Sequence, residues 1–257
     1  MSMLDVAVHA ALEAGRVLVA SYRRPQKVVV KGLRDYVTEA DLAAEEATVR
    51  VIREGCPGAV LVTEESHATY QESAEHPTWY VDPLDGTTNF ARGMPMFSVS
   101  VGMARHGLLQ CGAVYDPLLD QLFYAERGSG AFLNGERLRV STVNKLSDAM
   151  VLLDWPRDQE IRKQSAEYLK RLAPMVDSVR SRGSAALAFC GVAAGWAEGY
   201  FQFTLKPWDV AAGALIVEEA GGRVTDLNGG TMVLDKPDWL VTNGLLHEEI
   251  LEENPLR

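Results

Sequence analysis

The sequence predicts a mixed fold, α+β in its first half and α/β in its second, and three observations predict it. Residues 97–104, 108–115 and 121–125 are β-rich runs separated by the turn pairs His106-Gly107 and Asp116-Pro117, the pattern of an antiparallel meander. Asn134-Gly135 marks a further hairpin. From about Met150 onward, short strands alternate with helical stretches instead. No repeat, low-complexity tract or linker separates these regimes, so two halves, 1–148 and 149–257, are expected to pack tightly together. A chain of 257 residues can bury a large core in that way.

In chain order, residues 4–22 have helical apolar spacing and Ala-rich content, with Pro25 just beyond. Residues 26–31 alternate weakly, as a strand would. Lys31 to Asp41 then runs into a helix that extends to about Glu54, with Thr38 and Asp41 at capping-box spacing. Residues 59–63 read as a short buried strand ending in Glu64-Glu65-Ser66; paired Glu residues are most often a solvated turn. Residues 67–77 are polar, with His67, His76 and Pro77, and fit a surface loop. In the second half, a strand at 150–154 leads through Pro156 to a helix at 159–172. A strand at 178–181 ends in Arg182-Gly183-Ser184-Ala185-Ala186, and a helix continues to about Ala197. A strand at 199–205 precedes Pro207, well placed to open a helix at 208–220 that Gly221-Gly222 closes. Segments 239–241 and 245–253 complete the chain.

The net charge of -10 argues against unspecific nucleic-acid or anionic-membrane binding. It does not argue against phosphate substrates where bound cations reverse the local field. Three cysteines without Cys-x-x-Cys spacing read as buried thiols of a reduced compartment. There is no signal-peptide pattern, and no apolar run approaches about 18 residues. The expectation is a soluble cytoplasmic protein with neither a nucleic-acid substrate nor a membrane.

The chemistry concentrates in Trp-Tyr-Val-Asp-Pro-Leu-Asp-Gly-Thr-Thr-Asn-Phe, residues 79–90. A strand-like run ends in Asp82, Pro83 is expected to stop the ladder, and Asp85 returns three residues later. Gly86 permits a tight turn, and Thr87, Thr88 and Asn89 favour a helix start whose free N–H groups hold an anion. Two carboxylates beside an anion cradle point to hard divalent cations bridging to a phosphate. A ligand-free acidic turn remains the plain alternative. An EF-hand loop is rejected, because its ligand positions hold Leu84, Gly86 and Gly93. An aspartyl-phosphate phosphatase is rejected because two residues, not one, separate the carboxylates.

This stretch resembles the first signature of the inositol monophosphatase family, Mg²⁺-dependent, lithium-sensitive phosphomonoesterases. Pro207-Trp208-Asp209-Val210-Ala211-Ala212-Gly213, followed by Glu218-Glu219-Ala220-Gly221-Gly222, resembles its second. Alone, Asp209 would be explained by the helix dipole, worth about 0.3–1 kcal/mol in a first turn. Glu64 matches the first Glu of a Gly-Glu-Glu-Ser segment, although Thr63 stands where Gly is usual. Asp41 matches the acid of a Val-Thr-x-x-Asp segment, a role compatible with its capping position. The similarity spans nearly the whole chain.

The resemblance implies a layered αβαβα sandwich of the sugar-phosphatase type, commonly a homodimer, with two to three Mg²⁺ ions between its halves. It assigns Glu64, Asp82 and the Leu84 carbonyl to one ion, and Asp82, Asp85 and Asp209 to a second. A weaker third ion joins through Glu64. An attacking water is served by Thr87 hydrogen-bonded to Asp41, and the Gly86 and Thr87 N–H groups hold phosphate. Gly183, Ser184 and Ala185 contact substrate hydroxyls together with an acid whose place holds Gln202. Asp85 and Asp209 border the same substrate. Gln202 either shifts selectivity or merely faces solvent on a strand.

Oxygen ligands without histidine suit Mg²⁺ and not zinc. Each like-charge pair at ~4 Å costs about 1 kcal/mol in water and about 4 kcal/mol at an effective dielectric of 20, so five such acids call for cations. The expected substrate is a small phosphorylated sugar or polyol, with inositol monophosphate foremost. Fructose 1,6-bisphosphate, histidinol phosphate and nucleotide 3′-phosphate are alternatives on the same metal core. A protein-binding regulator that retains the fold and an anion-binding module without turnover are the other classes. The complete carboxylate set and the Thr87/Asp41 pair favour catalysis.

Overall fold

Small residues set the first packing decision. Helix α1 (Met3–Ser21) begins in a reciprocal cap between Ser2 and Asp5 and buries Ala7, Ala10, Ala11, Ala14 and Gly15. A Cβ at Gly15 would meet the Tyr115 ring at 2.5 Å, so the helix lies close on the sheet beneath it. The computed structural model describes residues 1–25, 27–33, 35–65 and 76–255. Strands β1 (Val28–Gly32) and β2 (Asp35–Thr38) pair antiparallel and lead into α2 (Glu39–Gly55). Then come β3 (Val60–Thr63), β4 (Thr78–Asp85), α3 (Thr87–Ala91), β5 (Ser98–Arg105), β6 (Leu108–Asp116), β7 (Gln121–Glu126), β8 (Gly130–Leu133) and β9 (Glu136–Arg137). Among the described residues β3 to β9 form one sheet in chain order, antiparallel except for the parallel pair β3–β4.

The second half contributes β10 (Met150–Leu153), α4 (Gln159–Leu172), β11 (Ser178–Arg180), α5 (Ala185–Ala193), β12 (Gly199–Gln202), α6 (Pro207–Glu219), β13 (Arg223–Thr225), β14 (Trp239–Thr242) and α7 (His247–Glu252). Its sheet runs β11-β10-β12-β14-β13, parallel through the first three strands and antiparallel through the rest.

Strand alternation divides the core into three interfaces. Trp79, Val81, Val99 and Val101 face α1 and α2. Tyr80 and Val114 face the other way and pack with α5 and α6, which also cover Tyr200 and Val241 of the second sheet. Leu153, Phe201 and Leu240 point outward from that sheet onto Tyr168 and Leu172 of α4 and Ile250 and Leu251 of α7. The layers are therefore helices, sheet, helices, sheet, helices: the αβαβα sandwich.

Several local expectations shift. Pro83 does not end β4; the strand runs on to Asp85, because a proline without an N–H is tolerated at the bulge between Asp82 and Asp85. Helix α5 stops at Ala193 and not near Ala197, since Gly195 turns left-handed at φ 71°. The strand expected at 199–205 ends at Gln202. Strand β13, three residues long and directly after Gly221-Gly222, carried no readable pattern. Gln26 and the loop residues 66–75 lie outside the described residues. All three cysteines are free and buried. Among the described residues no helix is long and apolar enough to cross a membrane.

Helix α6 lies so close to the first sheet that an added Cβ at Gly112 would sit 2.8 Å from Ala212 Cα. A Gly112→Ala variant is expected to lose about 1–3 kcal/mol by overpacking, read as a lower urea midpoint at unchanged m-value. An unchanged midpoint would show slack in that interface. His247 supplies an acid-side test. Its ring is buried between the Thr225 and Thr242 hydroxyls (3.0 and 2.8 Å), and burial, aided by Arg223, lowers its pKa from 6.5 to about 4. A histidine depressed in the folded state stabilises above pH 6.5, and that stability is lost as pH falls toward 4. Between those pH values the wild type is expected to lose more thermal stability than a His247→Gln variant.

Candidate active site

The bulge in β4 explains the spacing of its two acids. Residues three apart on a regular strand point to opposite faces. Here Asp82 pairs with Ser100 and Asp85 with Ser98, so one extra residue is absorbed and both acids share a face. Asp82 Oδ1 accepts the Leu84 N–H at 3.0 Å, closing a small turn over Pro83. Gly86 then adopts φ 95° and caps α3, in place of the threonine or asparagine cap expected. No side chain could be added there, because a Cβ would lie 3.0 Å from the Met96 carbonyl and 3.1 Å from that of Gly183.

Thr87, the first residue of α3, directs its hydroxyl at two acceptors, Asp41 Oδ1 (3.2 Å) and the Leu84 carbonyl (3.1 Å). The other Asp41 oxygen takes the Thr38 N–H (2.8 Å) and hydroxyl (2.5 Å). The capping role and the site role thus coexist on one carboxylate. Burial raises the Asp41 pKa, and the Thr38 and Thr87 bonds oppose that shift.

Asp85 is gripped from the second half. Ser184 Oγ donates to it at 2.5 Å, the Ala185 and Ala186 N–H groups at 3.1 and 2.9 Å, and Ser98 Oγ at 3.2 Å. The carboxylate therefore sits at the N-terminus of α5, where Ser184 is also the helix cap. Its pKa is raised by burial, against the pull of these donors. Of the three residues expected to touch substrate hydroxyls, Ser184 and Ala185 are thus engaged on Asp85, and Gly183 is held in the left-handed region at φ 69°.

Asp209 lies in the first turn of α6, half-buried, and accepts the Lys206 N–H at 2.7 Å. Burial, with Asp85 adding to it, pushes its pKa up to about 7 although the Lys206 bond opposes. Asp82 is raised well above the carboxylate range, first by burial and then by Glu64, Asp85 and Asp209. Glu64 stands in the turn after β3, close enough to share a proton with Asp82.

Gln202 does not join this group by any polar contact seen here. It is buried in β12, between β10 and β14, and its side-chain oxygen accepts the Phe203 N–H at 2.7 Å. A solvent-facing role is therefore excluded: β12 is a central strand covered on both faces. Three side chains take places that the sequence reading did not give them: Ser98, Ser100, and Asn89, which the sequence marks only as part of a helix start. Ser98 and Ser100 break the apolar pattern of β5 on alternate positions, a legible sign of a polar inner face. Asn89 Nδ2 bonds the carbonyls of Met96 (2.8 Å) and Arg182 (2.9 Å), tying α3 to the turn before α5.

Among the described residues no three His, Cys, Asp or Glu side chains stand ready-made around a single cation. The donor chemistry nevertheless fits a hard ion. The gathered acids are carboxylates, the Leu84 carbonyl adjoins them, and hydroxyl and N–H donors on Asp85 and the Lys206 N–H on Asp209 oppose their raised pKa values without cancelling them.

The model of the Inositol monophosphatase family matches residues 1–255. The chain belongs to the inositol monophosphatase family. It is 41% identical over 254 residues to the Nus factor SuhB of Pasteurella multocida, covering 98% of this chain and 95% of that protein. It is 39% identical over 254 residues to the inositol-1-monophosphatase of Mesorhizobium japonicum, with coverage of 98% and 95%. The crystal structure of extragenic suppressor protein suhB from Bartonella henselae superimposes with a TM-score of 0.94, at 36% identity and 99% coverage of both chains. As a member of the inositol monophosphatase family, the chain is a phosphatase that hydrolyses phosphomonoesters.

The raised acids of this family member make a pH test. A carboxyl whose folded pKa lies above its unfolded value holds extra protons when folded. Its stabilisation is present below pH 3.8 and is lost as pH rises through about 7 for Asp209. In chelator, the wild type is expected to lose more thermal stability between pH 5 and 8 than an Asp209→Asn variant, and divalent cation is expected to restore it. Parallel pH profiles for the two proteins would mean that Asp209 carries no strain.

Proposed function

We propose that the chain is a Mg²⁺-dependent phosphomonoesterase that hydrolyses inositol monophosphate, or a closely related sugar or polyol phosphate, by direct attack of water. The observation that carries this reading is the Thr87 hydroxyl set between Asp41 and the Leu84 carbonyl, beside the paired acids of β4. Two to three Mg²⁺ ions, held by Glu64, Asp82, the Leu84 carbonyl, Asp85 and Asp209, would supply charge neutralisation and Lewis acidity.

The chain's own residues do the rest. The Gly86 and Thr87 N–H groups orient the phosphate at the start of α3. Thr87 orients the water and relays its proton toward Asp41, whose burial makes it a stronger base than an exposed aspartate. Glu64 shares in proton handling beside Asp82. Gly183, Ser184 and Ala185 form the wall facing the sugar, and Asp85 and Asp209 border the same space. Gln202, with its side-chain oxygen engaged on the Phe203 N–H just after β12, would give this wall a neutral amide in the place where the family's acid is expected. Lithium inhibition, homodimer assembly and a cytoplasmic location belong to the same reading, on the strength of family membership.

A second reading rests on the name of one relative, the Nus factor SuhB of Pasteurella multocida. It makes this chain a protein-binding regulator that retains the fold and acts through its surface, with or without turnover.

Phosphate release with Mg²⁺ from inositol 1-phosphate, fructose 1,6-bisphosphate, histidinol phosphate and adenosine 3′,5′-bisphosphate separates these readings. Inositol 1-phosphate is expected to lead, and chelator is expected to abolish release. Asp82→Asn should lower kcat by more than about 100-fold, since even outer partners of a metal are worth 10–100-fold. No turnover on any substrate, with cation binding intact, would sink the catalytic reading in favour of the second.

A further inference from the structure

One acid at the edge of the site has no part in the scheme above. Asp154 follows β10 directly, and its Oδ1 accepts two bonds from the turn between β11 and α5: the Gly183 N–H at 2.6 Å and the Ser181 hydroxyl at 2.9 Å. Its Oδ2 is buried and turned from solvent, and the Tyr200 hydroxyl on the neighbouring strand β12 lies beside the Asp154 carboxylate. A buried carboxylate is costly unless its oxygens are engaged, so the two bonds accepted by Oδ1 hold the acid and the turn together.

The turn it binds is caught from the opposite side as well. Asn89 Nδ2 donates to the carbonyls of Arg182 (2.9 Å) and Gly183 (3.4 Å). Gly183 sits at φ 69°, and a Cβ there would lie 2.8 Å from Asn89 Nδ2. The very next residue is Ser184, whose hydroxyl, with the N–H groups of Ala185 and Ala186, holds Asp85. The contacts thus form an unbroken series from Asp154 through Gly183 and Ser184 to Asp85.

We propose that Asp154 is a positioning residue for the substrate wall: by accepting from Ser181 and from left-handed Gly183, it fixes the turn that presents Ser184 and the start of α5 to Asp85 and to the sugar. Its kinetic consequence rests on the phosphatase reading above; its structural consequence does not. A purely structural acid would alter stability alone, whereas a positioning acid alters substrate affinity more than turnover. What matters is acceptor geometry, which asparagine retains and alanine lacks.

The test combines kinetics on the preferred sugar phosphate with hydrogen exchange of the backbone across 181–186, in the full chain with Mg²⁺. Asp154→Ala, which removes the acceptor of both bonds, is expected to raise KM about tenfold while kcat stays within about threefold. Exchange across the turn should quicken in the same variant. Asp154→Asn should restore both to near wild type. Ser181→Ala, which removes one of the two donors and leaves the acid, should shift KM in the same direction by less. Wild-type KM and wild-type protection in Asp154→Ala would overturn the proposal, and so would an asparagine variant as damaged as the alanine one. If Asp154→Ala fails to fold, an unshifted KM in Ser181→Ala overturns it. Should the wild type turn over no phosphate ester, the phosphatase reading fails, and the exchange measurement alone decides whether Asp154 holds the turn.

Discussion

The structure depends on one buried carboxylate shared by its two halves. Asp85 belongs to the central β4 strand, yet most of its donors come from across the molecule, from Ser184 and the first N–H groups of α5. A helix start without its intrahelical partners and a buried acid without solvent are each unfavourable alone; joined, they satisfy one another. Around this contact the remaining site assembles. The bulge at Pro83 puts Asp82 on the same face. Gly86 lets α3 start against Gly183, and Asn89 clamps the two turns. The sandwich order follows too, because α5 must lie between the sheets for its N-terminus to reach β4.

The same arrangement is electrostatically uneasy. Asp82, Asp85 and Asp209 all have raised pKa values, and burial leads in each case. A protein selected for stability alone would not collect acids in this way; sites that perturb carboxylates by burial and mutual repulsion are characteristic of function. The fold carries the strain because the surrounding layers are closely packed. Helix α6, which brings Asp209, is seated on the glycines of β5 and β6, so the acid cannot relax outward without disturbing the core.

Much of this was legible along the chain. The capping relation of Thr38 and Asp41 needs only a threonine and an acid three residues on, and it is present. Helix α4 covers the residues that its apolar period indicates, and Asn134-Gly135 turns the hairpin with positive φ at both positions. The failures share a different origin. Pro83 looks like a strand terminator until the opposing strand shows a bulge that tolerates it. Gln202 has an ordinary surface composition, and its burial follows from lying between β10 and β14, strands far from it in sequence. Asp154 carries no motif at all and gains meaning only from the turn it faces.

The sequence by itself determined the helices, the meander, the caps, the acidic residues and the order in which they occur, because these rest on period, turn chemistry and short-range hydrogen bonds. Only the tertiary structure decided that Asp82 and Asp85 share a face, that Ser184 and Ala185 grip Asp85, and that Asp154 and Asn89 hold the turn between them. Each of those facts depends on contacts between segments widely separated along the chain. Such pairings are set by the strand register and layer packing of the whole molecule, and they leave no local signal in the residues that make them.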